Sequence, residues 1–415
     1  MPDRNAQNLH LLSRNPVFTA ARNVWGYEIQ ATASLAADHV AEADRPDVGA
    51  AVIAGEYIGL NTILARNKMM LLAYTPDQLR KQVPYAFPAR SSAVLLTARA
   101  QSDQSLAPVL RQMEEDGHTI VLEWSPLVTP QSAALDLAEM ICLASPAMID
   151  DQGLAAILAT GKGCLVRSVT TAEELETLQR LGATLFQGRF FKTAEIIPGR
   201  KLSSHQNSRL RILGVIEEPS PDLDHLARVI QSDVSLSYRL LTYLNSPAFG
   251  FMRKIDSIRQ AITLLGWINV RNWLRAVLLA DIVQGDAQGE LLHLALRRGR
   301  FLEQVVARND YWDFKPDEMF LLGMFSLLDA ILGIPMADAL SFLPLTEAQK
   351  KALTGLGPTE YAPLLTVMAA FEDNGVNLDR MLQDLSLDPA PTRQLHYEAG
   401  AWAASILDAG TGPRS

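Results

Sequence analysis

The hydrophobic period of this chain changes once, near residue 200, and that change constrains the fold more than any other feature. Before it, short apolar runs follow glycines: His118-Thr119-Ile120-Val121-Leu122 after Gly117, and Cys164-Leu165-Val166 after Gly163. Runs this short and this apolar read as buried strands. Thr171-x-x-Glu174 has the spacing of a helix-starting capping box. Leu175, Leu178 and Leu181 then share one helical face, and Gly182 stands where a helix would stop. Residues 183–186 give the next short strand. Strand, helix, strand at this spacing predicts parallel βα units. Near the start, Val17-Phe18 and residues 24–29 flank Arg22-Asn23 and predict a pair of strands joined by a turn.

After Ser208 the patterns are helical. Leu223, Leu226, Ala227 and Ile230 recur at helical spacing, as do Leu236, Leu240, Leu241 and Leu244. Ile262, Leu265, Val270, Trp273, Leu274 and Val277 continue the series. The polar stretch 192–207, with Pro198-Gly199 inside it, marks the crossover from an α/β domain to an all-helical one. A chain of 415 residues with 48% apolar and 20% charged content can bury a core in each. Its net charge of −9 argues against a generally nucleic-acid-binding or anionic-membrane-binding surface. Two cysteines, Cys142 and Cys164, make neither a disulfide framework nor a four-thiolate zinc site, which fits a cytoplasmic protein. The longest apolar stretch, 321–336, is broken by Ser326, Asp329 and Pro335, so no membrane span is expected. Residues 1–10 lack the apolar core of a signal peptide.

Three ordered segments carry a family resemblance. Ser13-Arg14-Asn15-Pro16-Val17-Phe18 resembles S-R-Q-P-I-F, the opening of EAL domains. Val24-Trp25-Gly26-Tyr27-Glu28 resembles their strand ending in the signature Glu, and Phe186-Gln187-Gly188-Arg189-Phe190-Phe191 resembles their closing F-Q-G-Y-F-F. Further on, Val229-Ile230-Gln231-Ser232-Asp233, Leu236, Leu240-Leu241, Asn245-Ser246, Ser257-Ile258-Arg259-Gln260-Ala261-Ile262 and Leu264-Leu265-Gly266-Trp267 are similar to HDOD domains. The whole resembles the EAL–HDOD bacterial signal transduction proteins over roughly residues 10 to 340. The resemblance implies a TIM-like α/β barrel over 10–200, followed by an all-α, HD-related domain over 201–410.

EAL domains hydrolyse cyclic di-GMP with two divalent metals held by oxygen ligands at the C-terminal ends of barrel strands. Carried over position by position, that set is mostly gone. Glu28 keeps the signature acid, within Glu28-Ile29-Gln30. The metal-binding Asn falls on Ala73, and the next Glu falls near Leu96-Thr97. The D-D-F segment falls on Glu123-Trp124-Ser125, keeping one acid of two. The lysine of K-I-D falls on Cys142, and the Glu of A-E-G-V-E-T falls on Arg167. The remnant pocket is therefore Glu28, Glu123, Arg167 and Gln187, with no catalytic or metal-ligating residue expected. Arg167 could face a phosphate or pair with Glu28 or Glu123; the pairing is preferred because it neutralises an acidic cluster. Cys142 reads as a small buried apolar residue rather than a nucleophile.

In the second domain the segment resembling G-L-L-H-D-I-G puts Ser326 at the His position and Leu327 at the Asp position. The seven histidines show no metal-ligand spacing. Asp233, Asn245, Ser246, Ser257 and Gly266 are family markers expected to act structurally, in turns and helix starts. Asp329 lies in an apolar stretch and would need hydrogen-bonding partners if buried. The basic cluster Arg297-Arg298-Gly299-Arg300 is expected on a solvated helix face, and Trp267, Trp273 and Trp312 in the core. Thr160-Gly161-Lys162-Gly163 lacks the frame of a phosphate-binding loop. The expected protein is thus a non-catalytic, cytoplasmic signalling protein without cofactor, working through contacts with an unidentified protein partner. A homodimer follows by analogy with EAL domains. A cyclic di-GMP receptor without turnover, or a residual metal-dependent phosphodiesterase, are the alternatives.

Overall fold

Eight strands close into a barrel in chain order, as the computed structural model of the chain shows. Residues 11–32, 67–124, 133–146, 157, 159–193, 202–218, 230, 236, 238–240, 260, 263, 266–283, 285–309, 313–372 and 377–410 are described. The chain divides into two units, Met1–Thr193 and Ala194–Ser415. No helix among the described residues is long and apolar enough to cross a membrane.

In the first unit β1 (Leu11–Thr19) runs antiparallel to β2 (Val24–Thr32) and to β8 (Leu185–Gly188). The others are parallel: β3 (Met69–Tyr74), β4 (Ser92–Leu96), β5 (Thr119–Glu123), β6 (Met140–Leu143) and β7 (Gly163–Val169) continue from β2 round to β8. Between them lie α1 (Pro76–Arg80), α2 (Ala98–Gln101), α3 (Ala107–Glu115), α4 (Ala133–Leu137) and α5 (Ala172–Arg180). The opening strands are longer than the sequence reading of 17–18 and 24–29.

Strands in such a barrel are covered on both faces, so they lose the alternation of half-exposed strands and become continuous apolar runs. Leu71, Ala93, Leu95, Val121, Cys142, Leu165 and Leu185 pack together with Val17 as one face of the strands. Met70, Leu72, Val94, Ile120, Leu122, Ile141, Val166 and Phe186 lie on the opposite face and are equally buried. Each buried Val, Leu, Ile, Met or Phe among them contributes roughly 1.5–3 kcal/mol of hydrophobic stabilisation.

The α5 start departs from the expected box in one detail. Thr171 Oγ1 accepts from the Glu174 N–H at 3.1 Å, as expected. Glu174, however, reaches one residue further back and accepts from the Thr170 N–H at 2.7 Å and the Thr170 hydroxyl at 2.8 Å. Those bonds hold its pKa below the ordinary glutamate value.

All the described regular secondary structure of the second unit is helical. Its main helices are α6 (Ser204–Ile216), α7 (Trp267–Ile282), α8 (Asp286–Arg308), α9 (Pro316–Phe325), α10 (Leu328–Leu332), α11 (Ala362–Glu372) and α12 (Pro389–Gly410). Trp273, Leu274, Val277 and Leu278 of α7 join Leu210 and Leu213 of α6 and Phe320 and Met324 of α9 in one core. A second core gathers Phe301, Leu302 and Val305 of α8 with Leu364, Val367 and Met368 of α11. Helices α8 and α9 approach closely through glycine: a Cβ on Gly323 would lie 2.5 Å from the Arg298 carbonyl oxygen.

Candidate functional site

The strand period decides which side chains meet at the C-terminal end of the barrel. Residues two apart share a face. Glu28, Glu123, Arg167 and Gln187 each stand two positions beyond or in step with the inward set described above, so β2, β5, β7 and β8 aim them at one place. Arg167 donates from Nη2 to Glu28 Oε1. It donates from Nη1 to Glu123 Oε1 at 3.1 Å. Gln187 Nε2 donates to Glu28 Oε2 at 2.9 Å. Glu28 is 3% exposed.

The surroundings are mostly apolar. Ala73 of β3 packs against the inner cluster, and Cys142 lies within it, fully buried. Burial pushes the Cys142 thiol up to about 12, so the sulfur stays protonated and is no nucleophile. Burial opposes the charge on Arg167, but the carboxylates of Glu28 and Glu123 outweigh it and hold its pKa above the usual arginine value. Gln101 of α2 ties the strand ends, donating from Nε2 to the carbonyls of Leu96 at 2.8 Å and Glu123 at 2.6 Å. Around Arg167, β7 breaks register between Val166 and Val169. Ser168 there has φ +57°, and its hydroxyl donates to the Ala144 carbonyl at 3.0 Å. Gly188 crosses this irregularity so closely that a Cβ would lie 2.0 Å from the Val169 oxygen. The glycine of the closing motif is therefore required by contact.

A pair of divalent cations does not fit this arrangement. Hard cations want six or more oxygen ligands. Two carboxylates converge here, and a guanidinium already lies between them. Gln187 turns an N–H, not its oxygen, toward Glu28. Among the described residues no group of three or more His, Cys, Asp or Glu side chains could hold a metal ion.

In the helical unit Asp233, Asn245, Ser246 and Ser257 lie outside the described residues. Gly266 precedes α7 at φ +79°, a left-handed conformation that explains glycine there. It also breaks the helical series that the sequence reading ran through 262–277. Ser326 caps the C-terminus of α9, with its hydroxyl on the Gly323 carbonyl at 2.6 Å, and Leu327 is buried. Asp329 opens α10 and accepts from the Ala330 N–H at 2.8 Å. Its hydrogen-bond partner is its own helix start.

The Arg297–Arg300 cluster corrects the expectation of a solvated face. Arg298 is 9% exposed. Its Nε and Nη2 both donate to the Glu372 carboxylate at 2.7 Å, and Nη1 donates to Ser326 Oγ at 2.9 Å. Arg300 donates to Glu303 at 2.7 Å, on the same helix. Residue 299 being glycine lets α9 close over this stretch, which leaves Arg298 facing protein. Trp273 is in the core, Trp267 is half-buried against it, and Trp312 lies outside the described residues.

One site escaped the sequence reading. Arg275 has no exposed surface, yet it sits in the apolar run Trp273-Leu274-Arg275-Ala276-Val277. It donates from Nε to Glu217 Oε1 at 2.6 Å and from Nη2 to Glu217 Oε2 at 2.5 Å. From Nη1 it reaches Asn272 Oδ1 at 2.6 Å and Asp317 Oδ1 at 2.9 Å. A lone charge inside such a run was the available signal, because a buried arginine requires partners.

Known proteins place these observations. Residues 202–336 match the HDOD domain family. The match lies in the helical unit, after the eight-stranded barrel. Cyclic di-GMP phosphodiesterase CdgJ of Vibrio cholerae is 26% identical over 95% of this chain and 92% of its own length. The uncharacterized protein YuxH of Bacillus subtilis is 24% identical over 96% of this chain and 99% of its own length. Among solved structures, a manganese and cyclic di-GMP complex of Klebsiella pneumoniae BlrP1 is 13% identical, covering 45% of this chain and 56% of that one. Its TM-score is 0.36. The HDOD match thus contains Gly266, Arg275, Arg298 and Ser326, whereas Glu372 lies beyond it.

Proposed function

We propose that this EAL–HDOD chain is a non-catalytic bacterial signal transduction protein that acts through protein–protein contacts, in a cyclic di-GMP-related or another pathway. The single observation that carries the reading is Arg167 held between Glu28 and Glu123. Two-metal phosphodiester hydrolysis needs those carboxylates free for cations that activate the attacking oxygen and stabilise the leaving one. Here both are engaged, and a fixed positive charge repels an incoming cation. The same bonds tie up the guanidinium that a nucleotide phosphate would need, which disfavours a receptor role. We place the two domains at 10–200 and 201–410, in the cytoplasm, with a protein partner and an EAL-type homodimer as the assembly to look for.

The test is a calorimetric titration of the full chain with cyclic di-GMP in magnesium buffer, at two temperatures, followed by chromatography of the nucleotide. The expected result is no saturable heat and intact nucleotide. Saturable binding with intact nucleotide would make the protein a receptor. Cleavage that persists through repurification would overturn the reading.

A further inference from the structure

The occupant of the carboxylate pair is covalently attached to the barrel. We propose that the C-terminal end of the barrel is a guanidinium-binding cradle, filled in the native chain by the Arg167 side chain and built for a planar donor rather than a divalent ion. Three observations converge. The two carboxylates come from different strands, β2 and β5, and each takes one N–H of the same guanidinium. A flat fork satisfies two acceptors on separate strands where a point charge would favour one. The second oxygen of Glu28 is already committed to Gln187, which offers nitrogen, so the cradle is short of oxygen ligands for a hard cation. The neighbouring Cys142 is a neutral thiol, and Ala73 and Leu95 add no donor.

Removing the arginine side chain would leave two carboxylates, Glu28 almost fully buried, without the guanidinium that lies between them. A small cation is then drawn in, and the geometry selects guanidinium-type ions. The inference stands whether or not the chain binds a nucleotide.

The experiment uses the full chain with Arg167→Ala, melted in a low-millimolar series of methylguanidinium chloride, with urea, sodium chloride and manganese chloride as parallel series. The variant is expected to melt roughly 6 °C or more below the native chain. Methylguanidinium is expected to restore at least half of that loss, saturably, while leaving the native chain unchanged. Adding Glu123→Gln is expected to weaken the rescue several-fold. A folded variant with no saturable rescue overturns the proposal. So does a larger rescue by manganese than by methylguanidinium. If Arg167→Ala is recovered unfolded, its refolding yield answers the same question: a higher yield with methylguanidinium than with sodium chloride supports the cradle, and an equal yield overturns it.

Discussion

Single residues in this protein owe their state to what surrounds them, and Asp329 shows the energetic sign of that. Burial pushes its carboxyl above the ordinary aspartate value, against the Ala330 N–H and the Arg298 charge, which act to lower it. A carboxyl with a raised folded pKa binds more protons folded than unfolded. Stability is therefore lost as pH rises through the window above the ordinary value. Asp329→Asn removes that titration while keeping an acceptor for the Ala330 N–H. Urea unfolding of the two proteins should show the variant gaining on the native chain between pH 4 and pH 7. An unchanged difference would show that Asp329 titrates as an ordinary carboxylate. The same dependence on surroundings separates Arg167 from Arg298. Both were visible as letters, but one was expected to pair and the other to face solvent, and both prove to be locked by acids from distant elements.

Elements formed where local pattern and burial agreed. β5, β7, β8 and α5 were legible because a glycine or capping residue bounded each apolar run. β3, β4 and β6 were placed only through the family resemblance, because a short continuous apolar run has no period to distinguish strand from buried helix. The contact between α8 and α9 was not legible at all. It depends on Gly299 and Gly323 meeting across the interface, twenty-four residues apart in sequence. Gly323→Ala would put a Cβ 2.5 Å from the Arg298 carbonyl, a backbone atom that cannot swing aside. We expect this to cost about 1–3 kcal/mol, the range for overpacking, read as a lower urea midpoint with an unchanged slope. A midpoint equal to the native one would show that the helices separate freely.

The molecule as a whole joins two units whose charged centres are closed by arginine. In the barrel Arg167 stands between two carboxylates; in the helical unit Arg298 grips Glu372 and reaches Ser326, which the resemblance puts at a His position. The expected consequence is a stability that does not depend on divalent ions. EDTA should leave the melting temperature of the full chain within about 2 °C of its value in magnesium, since only a ligand bound to the folded state shifts it. A larger drop would reveal a bound cation and contradict the fit of these residues. By itself the sequence determined the change from α/β to all-helical order, the candidate set Glu28, Glu123, Arg167 and Gln187, and the loss of the metal-binding residue types. The first follows from period, a local property of the chain; the other two are what the resemblance to EAL domains implies. Only the tertiary structure decided which partners the charges took: Arg275 with Glu217 and Asp317, Arg298 with Glu372, and Arg167 with both acids at once. Those pairs span dozens of residues to more than a hundred, and a buried charge is satisfied by proximity in space, on which sequence spacing is silent.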